Sequence, residues 1–370
     1  MKIAFLCKRR YTGKDALGDR FGRLYEVPLQ LALLGHEVTV FAVDYHGGLA
    51  AGNVEVPVRR GRLQWRCSSI GVGRWLSIGM YPLRLLSDVR GVGPDIVIGA
   101  SDIPHVSLAV WISTRLKVPC VADLYDNFES FGQAGIPGFK PVFHYALKRA
   151  DLILAVTKAL ACKIDEDGLS REPALVLNNG VDRAVFFPGD RDQARARLGL
   201  PVGAKCIGTA GGLSRMKGLD VVYAAWGQLS ARCEDVHLVL AGPTEPGFPP
   251  PVGDRVHYLG ELQGGEVADL FRSLDVGLIP IADSAFGRYC FPQKAYEMLA
   301  CGLPLAVAGV EEMRGLLSDF PSILYRPGDV GELVDVVERQ LKSPVVVDVH
   351  VKGWPELIAD VEPRLKALGK

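Results

Sequence analysis

Lys294 and Glu297 stand three residues apart in Phe291-Pro-Gln-Lys-Ala-Tyr-Glu-Met-Leu-Ala-Cys-Gly-Leu-Pro-Leu-Ala-Val-Ala308, a spacing that puts both side chains on one face of a helix. A carboxylate placed there can accept hydrogen bonds from ribose hydroxyls, and an ammonium can meet a phosphate. The competing reading is an ordinary ion pair on a solvated face, which contributes little. The apolar residues on both sides of the pair argue against it. A second segment, Gly208-Thr-Ala-Gly-Gly-Leu-Ser-Arg-Met-Lys-Gly-Leu-Asp220, sets Lys217 before Gly218 at a helix start. Free backbone N–H groups and the helix dipole favour phosphate at such a position.

The elements that must carry these residues follow from the pattern. Pro292 suits the first turn of a short helix ending at 301, and Gly302 and Pro304 stop it before the strand Leu305-Ala-Val-Ala308. Apolar runs near 2–7, 37–42, 95–99, 118–123, 151–156 and 174–178 alternate with amphipathic segments of helical length. The pattern restarts with runs near 205–210, 236–241, 255–259, 274–280 and 303–308. This predicts an α/β chain of two Rossmann-like domains, as does a length of 370 residues, which exceeds one hydrophobic core. Turn residues from Asn179 to Pro188 place the boundary there, giving domains 1–185 and 186–353, with 354–370 returning to the first. Ligands of such sheets sit beyond the carboxyl ends of the strands, so two facing domains are expected to define one cleft.

Composition narrows the class. The 42 Lys and Arg balance the 42 Asp and Glu, which gives no reason to expect nucleic acid or a strongly acidic partner. Eight scattered cysteines read as small core hydrophobes in a reducing compartment, and neither Cys-x-x-Cys nor His-x-x-x-His occurs. No apolar run reaches the length of a membrane span, and the first strand is too short for a signal segment. A cytoplasmic protein, possible contact with the inner membrane face aside, is the expectation.

Three segments resemble the family 4 retaining glycosyltransferases, glycosyl transferases group 1, which have the two-domain GT-B fold. Leu177-Asn-Asn-Gly-Val-Asp182 with Phe187-Pro188 is similar to the family's hinge; the Gly208–Asp220 segment looks like its strand, glycine-rich turn and Lys-Gly helix start; and the segment ending at Ala308 resembles its Glu-Ala-Met-Ala-x-Gly-x-Pro-Val stretch, with Glu297 at the second glutamate. Leu34-Gly-His-Glu-Val-Thr-Val40, Arg149-Ala-Asp-Leu-Ile-Leu-Ala-Val-Thr157 and a helix opening at Trp354 extend the resemblance over the whole chain.

The resemblance implies transfer of a hexose or similar sugar from a nucleoside-diphosphate sugar to a glycan, a glycolipid or a small-molecule hydroxyl, with retention, with no cofactor and no metal. Its main chemical demand is to stabilise negative charge on the leaving diphosphate. Lys217 is one cation for this. The family's arginine position is Gly212, beside Gly211, so a second cation must come from Arg215, Arg288 or Lys294. Tyr289 stands where the family's first glutamate would contact the donor sugar, with the amides of Gly287-Arg-Tyr-Cys-Phe-Pro292 nearby. Pro243, Leu259 and Gly260 correspond to residues lining the base, and Gly13 to the loop that approaches the diphosphate. In Val121-Ala-Asp-Leu-Tyr-Asp126, Asp123 or Asp126 is a candidate base for the acceptor proton, or else a loop cap.

Other readings remain open at this level. A nucleotide-sugar 2-epimerase shares the fold, and a divergent member could bind nucleotide or glycan without catalysis. From Arg59 to Arg90, arginines at 59, 60, 62, 66, 74, 84 and 90 interleave with Trp65, Ile70, Trp75, Ile78, Met80, Tyr81 and Leu83. That suits peripheral contact with an anionic membrane or a lipid-diphosphate acceptor, or else a packed helix pair with solvated arginines.

Overall fold

The computed structural model describes residues 1–11, 13–69 and 75–369, with 75–78 described in backbone only. The chain divides into two compact units, Met1–Gly180 with Trp354–Lys370, and Val181–Gly353. The break falls at Gly180, inside the Asn-Gly-Val-Asp segment, rather than at 185.

In the first unit the strands are β1 (Lys2–Lys8), a short ribbon β2 (Arg10–Tyr11) and β3 (Lys14–Asp15), β4 (Glu37–Asp44), β5 (Gly52–Val56), β6 (Arg62–Ser69), β7 (Ile96–Ala100), β8 (Cys120–Leu124), β9 (Leu152–Ala155) and β10 (Leu175–Val176). All but the ribbon form one sheet in the order β10-β9-β8-β7-β1-β4-β6-β5. It is parallel except where β5 runs antiparallel along β6. The central strands are apolar on both faces, with Ile3–Cys7 and Ile96–Ile98 buried, as crossover helices on each side require. Those helices are α1 (Arg23–Leu33), α2 (Trp75–Val92), α3 (Ile103–Leu116), α4 (Phe139–Leu147) and α5 (Lys158–Glu166). Gly99 lets α3 approach β7 closely, since a β-carbon there would lie 2.6 Å from that of Ala109.

The second unit holds α6 (Arg191–Leu198), β11 (Lys205–Ala210), α7 (Leu219–Arg232), β12 (Val236–Ala241), β13 (Val256–Tyr258), α8 (Gly264–Ser273), β14 (Val276–Ile279), α9 (Ala285–Tyr289), α10 (Gln293–Ala300), β15 (Leu305–Ala308), α11 (Glu311–Leu316), β16 (Leu324–Tyr325) and α12 (Val330–Lys342). Its parallel sheet runs β13-β12-β11-β14-β15-β16. The strand order reverses between β1 and β7 in the first sheet and between β11 and β14 in the second. These are the points where doubly wound sheets open a crevice at their carboxyl ends.

The last helix, α13 (Trp354–Leu368), belongs to the first unit. Its Trp354, Leu357, Ile358, Val361 and Leu365 join the core formed by β1, β4 and α1, each side chain contributing about 1.5–3 kcal/mol by burial. At the crossing, a β-carbon on Gly180 would lie 2.5 Å from the Trp354 backbone nitrogen, so only glycine fits the junction.

The basic stretch is not a helix pair. Its first part is β6, with Leu63, Trp65 and Cys67 in the core and Arg62, Gln64 and Arg66 on the opposite face, followed by α2. The period-2 alternation of Arg-Leu-Gln-Trp-Arg-Cys carried that strand signal. Ile70 and Arg74 lie outside the described residues, as do the side chains of Trp75 and Ile78. Of the eight cysteines, Cys162 is exposed and Cys233 half-buried rather than core. Among the described residues no helix is long and apolar enough to cross a membrane.

Candidate active site

At the carboxyl end of β11 the chain turns through Gly211 at φ 97°. Three backbone bonds hold this turn against its neighbours: Gly211 N–H donates to Ala241 O at 2.9 Å, Leu213 N–H to Pro243 O at 2.8 Å, and Gly242 N–H to Gly260 O at 2.7 Å. Gly242 must be glycine, because a β-carbon there would stand 2.3 Å from Gly211 O. Pro243 and Gly260, together with Leu259 bonded to Leu240 O at 2.9 Å, therefore frame the glycine turn through the backbone.

The turn leads into a single 3-10 turn, Arg215–Lys217, and then Gly218 at φ 79° before α7 begins at Leu219. Lys217 thus ends the turn ahead of α7 instead of lying in its first turn. This directs its side chain back over the glycines. A β-carbon on Gly212 would lie 3.2 Å from Lys217 Nζ, and one on Gly211 would lie 3.1 Å from Lys294 Nζ. Two ammoniums from separate elements therefore cover two consecutive glycines at the sheet's crevice.

Lys294 comes from α10, where Pro292 is the N-cap residue rather than the first helical one. Burial, then repulsion from Lys217, push the Lys294 ammonium down to about 8, against a smaller opposing pull from Glu297. Glu297 lies one turn further on. Burial pushes its carboxyl up to about 7, while a hydrogen bond from Gln293 and the charge of Lys294 act the other way. Gln293 Nε2 donates to Glu297 Oε1 at 3.1 Å. Gln293 was not singled out from sequence, although its i,i+4 spacing from Glu297 is the signal that marks such a bond. The Lys217 and Lys294 ammoniums repel each other at the turn, and Glu297 offsets part of that repulsion at Lys294.

Other candidates for the second cation are engaged elsewhere. The Arg215 guanidinium stacks over the Phe248 ring at 4.4 Å, and its backbone N–H donates to Glu245 Oε2 at 2.9 Å. Arg288 is exposed and paired with Asp283 at 2.8 Å. Of the amides near Tyr289, three are bonded in and around α9: Gly287 N–H to the Ser284 hydroxyl, Arg288 N–H to Ser284 O, and Cys290 N–H to Phe286 O. Tyr289 ends that helix, half-buried.

In the first unit the structure corrects Asp123. Its carboxylate is fully buried and gripped by Arg23, whose Nε reaches Oδ1 at 3.0 Å and Oδ2 at 3.1 Å and whose Nη2 reaches Oδ1 at 2.5 Å. Arg23 Nη1 also donates to Leu177 O at 2.6 Å. The pair ties β8 and α1 to the segment leading out of the unit, and leaves Asp123 no lone pair facing solvent. Asp126 is half-buried and accepts from Asn127 N–H at 2.8 Å. Gly13 stands in the β2–β3 ribbon at φ 84° with open space around it. Among the described residues no group of three or more His, Cys, Asp or Glu side chains could hold a metal ion.

Comparison with known proteins places this arrangement. Residues 23–185 match the profile described as Glycosyltransferase Family 4, and residues 204–343 match Glycosyl transferases group 1. The chain belongs to the family 4 glycosyltransferases. Among curated relatives, D-inositol 3-phosphate glycosyltransferase of Mycobacterium tuberculosis is 31% identical over 180 residues, 45% of this chain and 36% of that protein. The chain thus matches little more than a third of the length of such relatives.

Solved structures extend the likeness to the whole fold. Anabaena HepE in complex with UDP and glucose superposes with a TM-score of 0.73 at 18% identity, covering 100% of both chains. Sucrose-phosphate synthase from Thermosynechococcus elongatus gives 0.70 at 16%, covering 100% of this chain and 95% of that one. The fold is GT-B. Within this family 4 member, the position after the first turn glycine is Gly212, and Lys217 Nζ fills the space a side chain would need there. Lys294 brings a second ammonium beside the turn, 3.1 Å from where a β-carbon on Gly211 would lie.

Proposed function

We propose that this chain transfers a hexose or similar sugar from a nucleoside-diphosphate sugar to a hydroxyl of a glycan, glycolipid or small molecule, with retention at the anomeric carbon and without a metal ion. The observation that carries this reading is the pair of ammoniums of Lys217 and Lys294 over Gly211 and Gly212. The bond from the anomeric carbon to the diphosphate oxygen breaks with its electron pair leaving on the diphosphate. Fixed cations lower the energy of that charge more in the transition state than in the bound donor. The new bond forms to the acceptor oxygen on the same face, and the leaving phosphate takes the acceptor proton. Glu297, oriented by Gln293, accepts from the ribose hydroxyls, while Pro243, Leu259 and Gly260 border the base.

The donor class is supported by HepE structures in complex with UDP and with UDP-glucose. Retention and metal independence are what the family resemblance implies. Incubating the full chain with UDP-glucose in the presence of a chelator, without acceptor, tests the reading: slow release of UDP and free glucose is expected. Absence of hydrolysis across a panel of uridine, guanosine and adenosine diphosphate sugars would leave a binding protein, and release of a 2-acetamido sugar inverted at C2 would indicate an epimerase.

A further inference from the structure

Beside the end of α2, one face of the first sheet carries a groove at the amino ends of its strands, outside the unit that holds the donor turn. Residues Arg62, Gln64 and Arg66 alternate on β6, so they share one face, opposite Glu37, Thr39 and Phe41 of β4. Lys2 pairs in register with Glu37 from the other side. Lys2, Glu37, Thr39, Arg62, Gln64 and Arg66, with the end of α2 at Gly91 and Val92, line an open groove of about 210 Å³. Lys2, Glu37 and Arg62 begin their strands, so the groove opens toward the amino ends, away from the crevice at the carboxyl ends.

Its electrostatics are unbalanced in one specific place. Among the described residues, Arg66 Nε is buried with no hydrogen-bond partner. Its Nη2 meets only the neutral Gln64 Oε1 at 3.5 Å, and its guanidinium lies over the Phe41 ring at 5.6 Å. A buried donor of a charged group left without an acceptor is costly, and such groups call for an acceptor at the site. The carboxylates nearby do not bond it: Glu55 pairs with Arg62 at 3.0 Å on the surface, Asp95 accepts the Lys2 backbone N–H at 2.7 Å, and Glu37, which lines the groove between Lys2 and Arg62, is exposed to solvent.

We propose that this groove is a binding site for a phosphate group. A tetrahedral oxyanion seated against Arg66 Nε–H can also take hydrogen bonds from Lys2, Arg62 and the Thr39 hydroxyl, and the guanidiniums match its oxygens in pairs. The volume admits a phosphate with a small substituent, and is below that of pockets that enclose a drug-sized ligand, about 300–1,000 Å³. The ligand is a phosphate ester, either a lipid headgroup or a soluble metabolite. It binds apart from the transfer chemistry, and the comparison of wild type with Arg66→Gln separates it from any phosphate bound at the donor turn.

The test is thermal unfolding of the full chain in saturating UDP, titrated with inorganic phosphate against chloride of matched ionic strength. Wild type is expected to gain stability with phosphate, and Arg66→Gln to need about tenfold more for the same gain. Should Arg66→Gln lose its cooperative transition, Lys2→Gln with Arg62→Gln serves instead and is expected to shift the titration the same way. Equal stabilisation of wild type and variants, or no gain over chloride, overturns the site. Vesicles of phosphatidylcholine with and without phosphatidic acid separate the sources. Sedimentation of wild type but not Arg66→Gln with the acidic vesicles identifies a lipid phosphate, whereas phosphate stabilisation without sedimentation identifies a soluble ester. Either supports the groove.

Discussion

Lys217 Nζ and Lys294 Nζ, carried by the turn after β11 and by α10, occupy the space that β-carbons on Gly212 and Gly211 would need, at 3.2 and 3.1 Å. The glycines and lysines are therefore one device. The absence of side chains at the turn leaves room for two cations, and a diphosphate bound there, as proposed, would relieve the repulsion between them.

Lys217→Ala and Lys294→Ala are each expected to reduce kcat by about 10²–10³-fold, the range for losing one preorganised donor to a developing negative charge. Steady-state hydrolysis or transfer with UDP-glucose measures this. Wild-type turnover in both variants would remove the proposed role of the pair.

Gly212→Ala isolates the spatial relationship from the charge. The new methyl meets only the flexible end of Lys217, so the fold should hold, with a melting temperature close to wild type. Donor affinity should fall about tenfold as the ammonium is displaced. Calorimetric titration with UDP reads this, and unchanged affinity would show that the contact has no consequence for binding.

The pH dependence of kcat/KM for the donor should be bell-shaped. Glu297 must lose its proton to accept from ribose, and burial sets its carboxyl at about 7, so activity rises through that value. Lys294 must keep its proton, and burial beside Lys217 sets its ammonium at about 8, so activity falls above that value. Gln293 donates to Glu297 and holds its carboxyl lower than burial alone would. Gln293→Ala should therefore move the acid limb to higher pH and leave the alkaline limb in place; a shift in the opposite direction contradicts the assignment.

Arg23 and Asp123 should behave as a structural pair. Asp123→Asn or Arg23→Ala leaves one charge buried without its partner and is expected to cost about 3–5 kcal/mol in unfolding by denaturant. The apolar double variant Arg23→Met with Asp123→Leu should recover much of that loss. If Asp123 were instead the acceptor's base, the double variant would fold and yet remain without transfer activity.

How much was legible depended on the range of the interaction. Glu297 and Lys294 were found because helix spacing is local, and the parallel sheets were found because apolar runs of strand length repeat. β6 was missed although its alternation was present, since arginine and tryptophan together suggested an amphipathic surface. Arg23 left no signal, because a charged residue at a helix start reads as solvated unless its partner, a hundred positions away, is known to be buried with it.

Local sequence alone thus determined the family, the α/β alternation, and which segments bear cations and carboxylates. Tertiary structure decided which of those groups meet. It removed Arg215 to the face of Phe248, paired Arg288 with Asp283, locked Asp123 to Arg23, and brought Lys294 to Gly211 from more than eighty residues along the chain. The physical reason is that backbone periodicity is set within a few residues, whereas burial and charge pairing depend on neighbours that only the packed sheets bring together.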